Sequence, residues 1–199
     1  VVLSGYIRSV EGKVHVPVFG RHNCNNLMAA SGVALACGMT PEEIWEALPE
    51  CRGVWGRSQL VELNSGAKVL FDAYNANFES MSALVKNVFE FDLKGKKIAI
   101  IGQMLELGNE SAQLHEQLGE LIASTCFSVI WFLGVDKSAF ERGLQRGGFN
   151  KNLFLSDTYE ESLALKLGSM LNQSDIAIIK GSRGMKLEQV LEAWQAQSF

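Results

Sequence analysis

The sequence predicts an α/β fold in which helices cover both faces of a mostly parallel sheet, preceded by a smaller segment with a different pattern. Runs such as 98–101, 129–132 and 176–179 are apolar at every position, as expected for strands that are buried on both faces. Single helical segments separate most of these runs, and such alternation gives parallel strands joined by right-handed crossovers. We therefore expect a Rossmann-like three-layer domain.

Residues 1–52 form the first predicted domain. Polar and apolar residues alternate in 13–18, which indicates short β-structure within 1–19. Residues 25–37 are rich in Ala, Leu and Met and predict a helix that stops at Gly38. Thr40 precedes Pro41 and two glutamates, a pattern that predicts a capped second helix to about residue 48.

Residues 53–199 form the second predicted domain, after a stretch at 49–56 that is punctuated by glycine and proline. The expected strands lie near 58–63, 67–72, 97–101, 128–133, 152–155 and 175–179. The expected helices lie near 79–90, 112–125, 137–145, 158–171 and 186–196. The alternation predicts one sheet covered by these helices.

The composition excludes several classes of protein. Hydrophobic residues make up 47% of the 199 residues, which is enough for a substantial core. The net charge of −4 gives no general attraction to nucleic acid or anionic lipid. The longest apolar stretches, 27–37 and 127–133, are shorter than the roughly 18 residues of a membrane span. No signal peptide pattern is present and the first residue is Val1, so we expect a cytoplasmic fragment of a longer chain.

The cysteines and histidines give no metal-binding pattern. The four cysteines form no CxxC pair, and the three histidines are scattered along the chain. We therefore expect free thiols in a reducing compartment and no metal site.

The segment that follows the last strand, 180–184, reads Lys-Gly-Ser-Arg-Gly. Glycines at a strand-to-helix turn expose backbone N–H groups, and Lys180 and Arg183 add positive charge, so the turn is suited to a carboxylate or a phosphate. The alternative is an ordinary glycine turn with solvated cations. Neither GxGxxG nor GxxxxGK[ST] occurs in the chain, so the sequence does not support a dinucleotide site or a P-loop.

A second polar cluster follows the strand that ends near Asp72 and contains Tyr74, Asn75 and Asn77. These side chains are able to hold a ribose or an amide by directed hydrogen bonds. The alternative is a structural turn in which Asn77 caps the next helix.

Three further residues have two interpretations each. Glu106 and His115 form a candidate acid–base pair, but His115 lies in a helical pattern and is equally suited to a structural hydrogen bond. Arg57 is either a phosphate contact or a surface cation.

Five segments together resemble the Mur ligase family. Residues 20–30 resemble its GxHNxxNxxAA segment, and 56–57 resemble the GR that opens its C-terminal domain. Residues 72–81 resemble DxYNANPxSM, a signature of the branch that adds D-Ala-D-Ala. Residues 102–108 resemble GDMxELG, and 180–183 match the closing KGSR. The order and approximate spacing of these segments cover nearly the whole chain.

The resemblance implies an ATP-dependent amide ligase of peptidoglycan synthesis. In this family ATP phosphorylates the carboxylate of UDP-N-acetylmuramoyl-tripeptide, and the amine of D-Ala-D-Ala attacks the acyl phosphate, with Mg²⁺ neutralising the phosphates. Residues 1–52 would be the tail of the central ATPase domain without its P-loop, and 53–199 the C-terminal domain. The missing N-terminal and central regions would supply the metal ligands, so we expect the fragment to be inactive alone.

The resemblance also implies roles for individual residues. Asn23 and Asn26 would contact adenine, Arg57 the phosphates, and Asp72 with Tyr74 the ribose. Asn75 and Asn77 would shape that same edge, and the incoming dipeptide would lie near Lys180, Ser182 and Arg183. His22 would order its segment, and no catalytic residue is assigned.

Two positions depart from the family pattern, and two alternatives follow. Gln103 stands where the pattern has Asp, and Phe78 where it has Pro. These departures leave open a Mur-like module that is non-enzymatic or acts on another substrate. A dinucleotide-binding domain of an oxidoreductase is the other alternative, and the missing glycine fingerprint counts against it.

Overall fold

The structure, a computed structural model, describes residues 1–20, 22–87 and 95–197. The chain divides into two compact units, Val1–Gln59 and Leu60–Phe199. The predicted domain boundary between 52 and 53 lies within the first of these units and stays a prediction.

The first unit contains a two-stranded sheet and two helices. Strands β1 (Val2–Ile7) and β2 (Val10–His15) pair antiparallel. Helices α1 (His22–Ala36) and α2 (Pro41–Ala47) follow, and Thr40 and Glu43 form a reciprocal capping box at the start of α2. The small core of this unit contains Val16, Leu27, Ile44 and Leu48. The predicted β-structure and both helices are confirmed.

The second unit is built on a six-stranded sheet with the order β3-β4-β8-β5-β6-β7. The strands are β3 (Gln59–Glu62), β4 (Lys68–Asp72), β5 (Lys97–Gly102), β6 (Val129–Leu133), β7 (Asn152–Ser156) and β8 (Ile176–Lys180). The pairs β4–β8, β8–β5, β5–β6 and β6–β7 are parallel. The predicted α/β fold with a mostly parallel sheet is therefore confirmed.

Five helices accompany the strands of the sheet. They are α3 (Phe78–Asn87), α4 (Ser111–Ala123), α5 (Lys137–Arg146), α6 (Glu161–Gly168) and α7 (Glu188–Ala196). Each corresponds to a predicted helix, although residues 88–90 of the first prediction lie outside the described residues. No helix in the described ranges is long and apolar enough to cross a membrane.

The core of the second unit lies around the central strands, and every residue of β6 and β8 is buried. Two tryptophans are fully enclosed and keep their polar atoms bonded. Trp131 Nε1 donates to Ser156 Oγ at 2.6 Å, and Trp194 Nε1 donates to the Ala164 carbonyl at 2.7 Å. Buried indole groups require such partners, because an unpaired N–H in the core would reduce stability.

Helices α4 and α5 pack closely because glycines lie at their contact. A Cβ atom at Gly119 would collide with the Phe140 carbonyl oxygen, and one at Gly143 would collide with the Glu116 carbonyl oxygen. Neither obstacle is the end of a flexible side chain, so neither can move aside without shifting a helix. The two glycines therefore set the distance between these helices.

We expect Gly119→Ala to lower the free energy of unfolding by about 2 to 3 kcal/mol, because the helices must separate to admit a methyl group. Urea denaturation of the 199-residue chain measures this change. Gln117→Ala, on an exposed position of the same helix, is the control and should change stability by less than about 0.5 kcal/mol. Equal stability of the two variants would show that the helix contact tolerates the methyl group.

Candidate functional site

The parallel strands end together at one edge of the sheet, which we call the carboxyl edge. Its strand-end residues are Asp72, Gly102, Leu133, Ser156 and Lys180. Asp72 lies opposite Lys180 in the register, and Gly102 lies opposite Leu133. The loops that follow these residues are therefore neighbours, and ligands of open parallel sheets bind at this edge.

Lys180 and Asp72 form a buried ion pair at the carboxyl edge. The Lys180 Nζ atom lies 2.6 Å from Asp72 Oδ2 and donates a second hydrogen bond to the Asn75 carbonyl at 3.3 Å. Only 1% of the Lys180 surface is exposed. The ammonium group thus orders the loop after β4 and is not a solvated cation of the turn. Its predicted contact with a ligand stays a prediction.

Ser182 joins the loops after three strands. Its Oγ accepts the Leu105 N–H at 2.9 Å and points toward the Ala76 carbonyl at 3.5 Å, and its own N–H donates to the Gln103 carbonyl at 3.3 Å. The residue is buried, so the hydroxyl group fixes loop geometry. This approach is possible because a Cβ atom at Gly181 would lie only 2.8 Å from Gly102 Cα.

Arg183 and Tyr74 are among the accessible side chains of the carboxyl edge. Arg183 is 53% exposed in its side chain, and its Nη1 atom lies 2.8 Å from Glu188 Oε1. Tyr74 is 44% exposed beside Asn75, whose Oδ1 accepts the Ala76 N–H at 2.9 Å. A guanidinium group and a phenol at this edge suit anionic and hydroxyl-bearing ligands.

Asn77 caps helix α3, as one of the two interpretations proposed. Its Oδ1 accepts the Ser80 N–H at 2.8 Å, and Ser80 Oγ accepts the Asn77 N–H at 3.1 Å. Phe78 takes the first helical position, where the family pattern has Pro. Phe78 has a backbone N–H that Pro lacks, but the first N–H groups of a helix have no acceptor within the helix. Phe at this position is therefore compatible with the same cap.

His115 is a structural hydrogen-bonding group. It is fully buried, and its Nε2 accepts the Met104 N–H at 2.9 Å, which leaves the proton of the neutral ring on Nδ1. The Nδ1 atom lies 2.7 Å from the Ser111 carbonyl oxygen and 3.3 Å from Asp136 Oδ2. Burial lowers the pKa of His115 below its ordinary value of 6.5, and the Ser111 carbonyl and the Asp136 charge partly oppose this shift. The acid–base pairing with Glu106 is therefore unsupported.

Gln103 and Ser111 bond to Asp136, the carboxylate that lies next to His115. Its Nε2 donates to Asp136 Oδ2 at 3.0 Å, and its Oε1 accepts the Val135 N–H at 2.8 Å. Ser111 Oγ donates to the same Asp136 oxygen at 2.6 Å. Asp136 and Ser111 were not among the predicted site residues, although Asp136 lies in the loop that follows the buried strand β6.

The predicted residues of the first unit are described separately. Asn23 Nδ2 donates to the Phe19 carbonyl at 2.7 Å, and Asn26 Nδ2 donates to Asn23 Oδ1 at 3.1 Å. The two amides are thus linked along one face of α1. Arg57 is exposed, in a turn closed by its N–H and the Val54 carbonyl at 3.1 Å. The His22 side chain lies outside what the structure describes.

The described ranges contain no group of three His, Cys, Asp or Glu side chains that could hold a metal ion. The Asp72 and Asp136 carboxylates instead lie next to an ammonium group and hydrogen-bond donors, respectively.

Comparison with known proteins identifies the family. The family model for the Mur ligase glutamate ligase domain matches residues 56–183, which is more than half of the chain. The chain belongs to the Mur ligase family. The matched range contains the ion pair of the carboxyl edge and the Lys-Gly-Ser-Arg turn.

Curated Mur ligases are similar over nearly the whole chain. The UDP-N-acetylmuramoyl-tripeptide--D-alanyl-D-alanine ligase of Escherichia coli is 31% identical over 182 residues, covering 92% of this chain and 39% of the relative. The Bacillus subtilis ligase of the same name is 28% identical, covering 94% of this chain and 40% of the relative. The chain thus spans about 40% of the length of the curated relatives it matches.

Solved Mur ligases have the same fold. A crystal structure of MurF from Acinetobacter baumannii superposes with a TM-score of 0.84 at 27% identity, covering 98% of this chain and 42% of that chain. MurF from Thermotoga maritima, solved in complex with ADP, superposes with a TM-score of 0.74 at 23% identity, covering 98% and 43%. The second likeness concerns the fold alone.

We expect Lys180→Met to destabilise the chain by about 3 kcal/mol, because the poorly solvated Asp72 carboxylate loses its ammonium partner. Thermal and urea unfolding measure the change. The double variant Lys180→Met/Asp72→Asn should be less destabilised than the two single changes added together.

The matched control for Lys180 is Lys137→Met, which removes an exposed ion pair with Asp157 at the same 2.6 Å separation. Its expected cost is below about 1 kcal/mol. If Lys180→Met and Lys137→Met lower the free energy of unfolding by similar amounts, burial does not determine how much the Lys180 ion pair contributes to stability.

We expect His115 to make stability depend on pH. Its pKa is lowered by folding, so its contribution is fully present above the unfolded pKa of about 6.5 and is lost as pH falls through the folded pKa. His115→Gln keeps an acceptor for the Met104 N–H but does not titrate. Unfolding measured between about pH 7.5 and 5 should therefore show a smaller loss for His115→Gln than for the original chain.

The control for this titration is His15→Gln, at an exposed position of β2, which should retain the original pH dependence. If His115→Gln loses as much stability at low pH as the original chain, groups other than His115 cause that loss.

Proposed function

We propose that this chain is the C-terminal part of an ATP-dependent ligase that joins D-Ala-D-Ala to UDP-N-acetylmuramoyl-tripeptide in peptidoglycan synthesis. The observation that carries the proposal is the cluster of motif residues at the carboxyl edge, where Asp72, Lys180 and Ser182 hold three loops together. Two relatives that bear this activity in their names match the chain over more than nine-tenths of its length.

The proposed reaction has two steps. A carboxylate oxygen of the tripeptide takes the γ-phosphoryl group of ATP, and ADP leaves. The amine of the dipeptide then attacks the carbonyl carbon, loses a proton, and displaces inorganic phosphate to leave an amide bond. Mg²⁺ would be held by other parts of the enzyme, together with the P-loop. The 199-residue chain is therefore expected to release no phosphate alone.

In this proposal residues 1–52 are the tail of the central ATP-binding domain and 53–199 are the C-terminal domain. The linked amides of Asn23 and Asn26 are suited to the hydrogen-bonding edge of adenine, and the exposed Arg57 is suited to a phosphate. Asp72 and Tyr74 present a carboxylate and a phenol to the ribose, with Asn75 shaping their loop.

The dipeptide is placed near the turn after β8. Arg183 is its accessible cation, and Ser182 and Lys180 fix the turn by their buried contacts. Asn77 contributes by capping α3, which ends the loop that carries Tyr74. The nucleotide-linked substrate and ATP place this activity in the cytoplasm.

The test uses the full-length protein that contains this chain. Phosphate release is measured with ATP and UDP-N-acetylmuramoyl-tripeptide, with D-Ala-D-Ala added or withheld. Release that requires the dipeptide is the expected result. Activity with a different amine or muropeptide alone would favour the altered-substrate module, and tight NAD binding would favour the oxidoreductase domain.

We expect Asp72→Asn in the full-length protein to lower kcat/KM for ATP by roughly 10- to 100-fold, because it removes a charged acceptor for the ribose and weakens the Lys180 contact. Asp157→Asn is the control, since it breaks only the exposed pair with Lys137. Wild-type kinetics in Asp72→Asn would remove this residue from the nucleotide site.

A further inference from the structure

The loop after β5 holds one acidic side chain in an unusual backbone conformation. Glu106 has φ 65°, one of four non-glycine residues of the described chain with positive φ. The left-handed region disfavours residues with a Cβ atom, and such outliers persist where the surroundings fix them. Nearby Gly108, with φ 56°, takes a similar conformation without that cost.

The neighbours of Glu106 are fixed from several directions. The N–H groups of Gln103, Met104 and Leu105 donate to the Leu133 carbonyl, His115 Nε2 and Ser182 Oγ. The donor–acceptor distances are 2.9 Å in all three cases. The loop therefore presents Glu106 in a defined place, although its side chain is exposed.

Three other acids near the carboxyl edge have partners. Asp72 pairs with Lys180, Asp136 accepts from Ser111 and Gln103, and Glu188 pairs with Arg183. Within the described residues no hydrogen bond or ion pair involves the Glu106 carboxylate. Glu106 is thus an accessible anion in a loop that contacts the turn after β8.

The surroundings of Glu106 match the chemistry of a small zwitterion with apolar side chains. Leu105 is 38% exposed, and its Cδ1 would lie 2.7 Å from a Cβ atom at Gly184, so it covers the turn after β8. The Leu105 N–H donates to Ser182 Oγ at 2.9 Å. This hydrogen bond joins the residue before Glu106 to the residue before Arg183. An anion, an apolar side chain and a cation therefore belong to two touching loops.

We propose that Glu106 binds the amino group of the incoming dipeptide, while Leu105 contacts its methyl groups and the Arg183 side of the turn faces its carboxylate. A dipeptide spans roughly 7 Å when extended, which suits ligand groups on adjoining loops. This inference rests on the proposed ligase function. Glu106 would act as a specificity residue for amines that carry a carboxylate at their far end.

The test is a set of steady-state measurements on the full-length protein and its variants Glu106→Gln and Glu106→Gly. Glu106→Gln removes the charge and keeps the size of the side chain, and Glu106→Gly relieves the left-handed conformation. We expect both variants to raise KM for D-Ala-D-Ala by about 10-fold or more, because a charged hydrogen bond is lost. KM for ATP and for the tripeptide substrate should change by less than about twofold.

Two controls separate recognition from folding. Glu110→Gln removes an exposed acid from the next turn and should keep all three KM values. N-acetyl-D-Ala-D-Ala, which lacks the amino group charge, should inhibit the original enzyme and Glu106→Gln equally. Glu106→Gly should also raise the midpoint of thermal unfolding, so its loss of dipeptide binding cannot be misfolding.

An unchanged dipeptide KM in Glu106→Gln, in an enzyme whose phosphate release requires the dipeptide, would overturn this inference and leave the ligase function intact. Parallel increases of all three KM values would overturn it as well, since they would indicate a general change in the loop. Absence of dipeptide-dependent release in the original full-length enzyme would instead overturn the proposed function itself.

Discussion

The buried ammonium group of Lys180 is the constraint on which the carboxyl edge depends. Lys180 ends β8, between β4 and β5, where almost no water reaches its side chain. A lysine charge in such a place requires an anion and a hydrogen-bond acceptor, and Asp72 and the Asn75 carbonyl supply them. Lys180, the last residue of β8, therefore fixes the loop that follows the neighbouring strand β4.

The loop after β5, also at the carboxyl edge, depends on the packing of helices α4 and α5. Gly119 and Gly143 let α4 lie closely against α5, and α4 carries the His115 ring that accepts the Met104 N–H. In the loop after β5, the N–H groups of Met104 and Leu105 donate to side chains of other elements, His115 and Ser182. The shape of the loop is therefore linked to a helix contact that touches no ligand residue.

The sequence predicted the fold well because its signals are local. The fully apolar strands and the helix-stop and capping residues such as Gly38 and Thr40 identify elements without knowledge of their partners. The choice between two roles for Asn77 and for His115 was beyond the sequence, because each choice depends on the backbone groups within reach. Gln103 and Asp136 are 33 residues apart in the chain, so only the folded sheet shows that they bond.

The Gln103 departure acquires a physical meaning from this network. One Asp136 oxygen already accepts from Ser111 Oγ and lies 3.3 Å from His115 Nδ1, and the Gln103 amide adds a neutral donor at 3.0 Å. An ionised Asp in place of Gln103 would have no N–H to donate and would bring a second negative charge to Asp136. Gln103 thus holds the loop through a neutral amide, while the exposed Glu106 matches the Glu of the family pattern and Leu105 stands at its variable position. The Gln103 departure therefore lies among the residues that hold the loop, and not among the exposed residues that the loop presents.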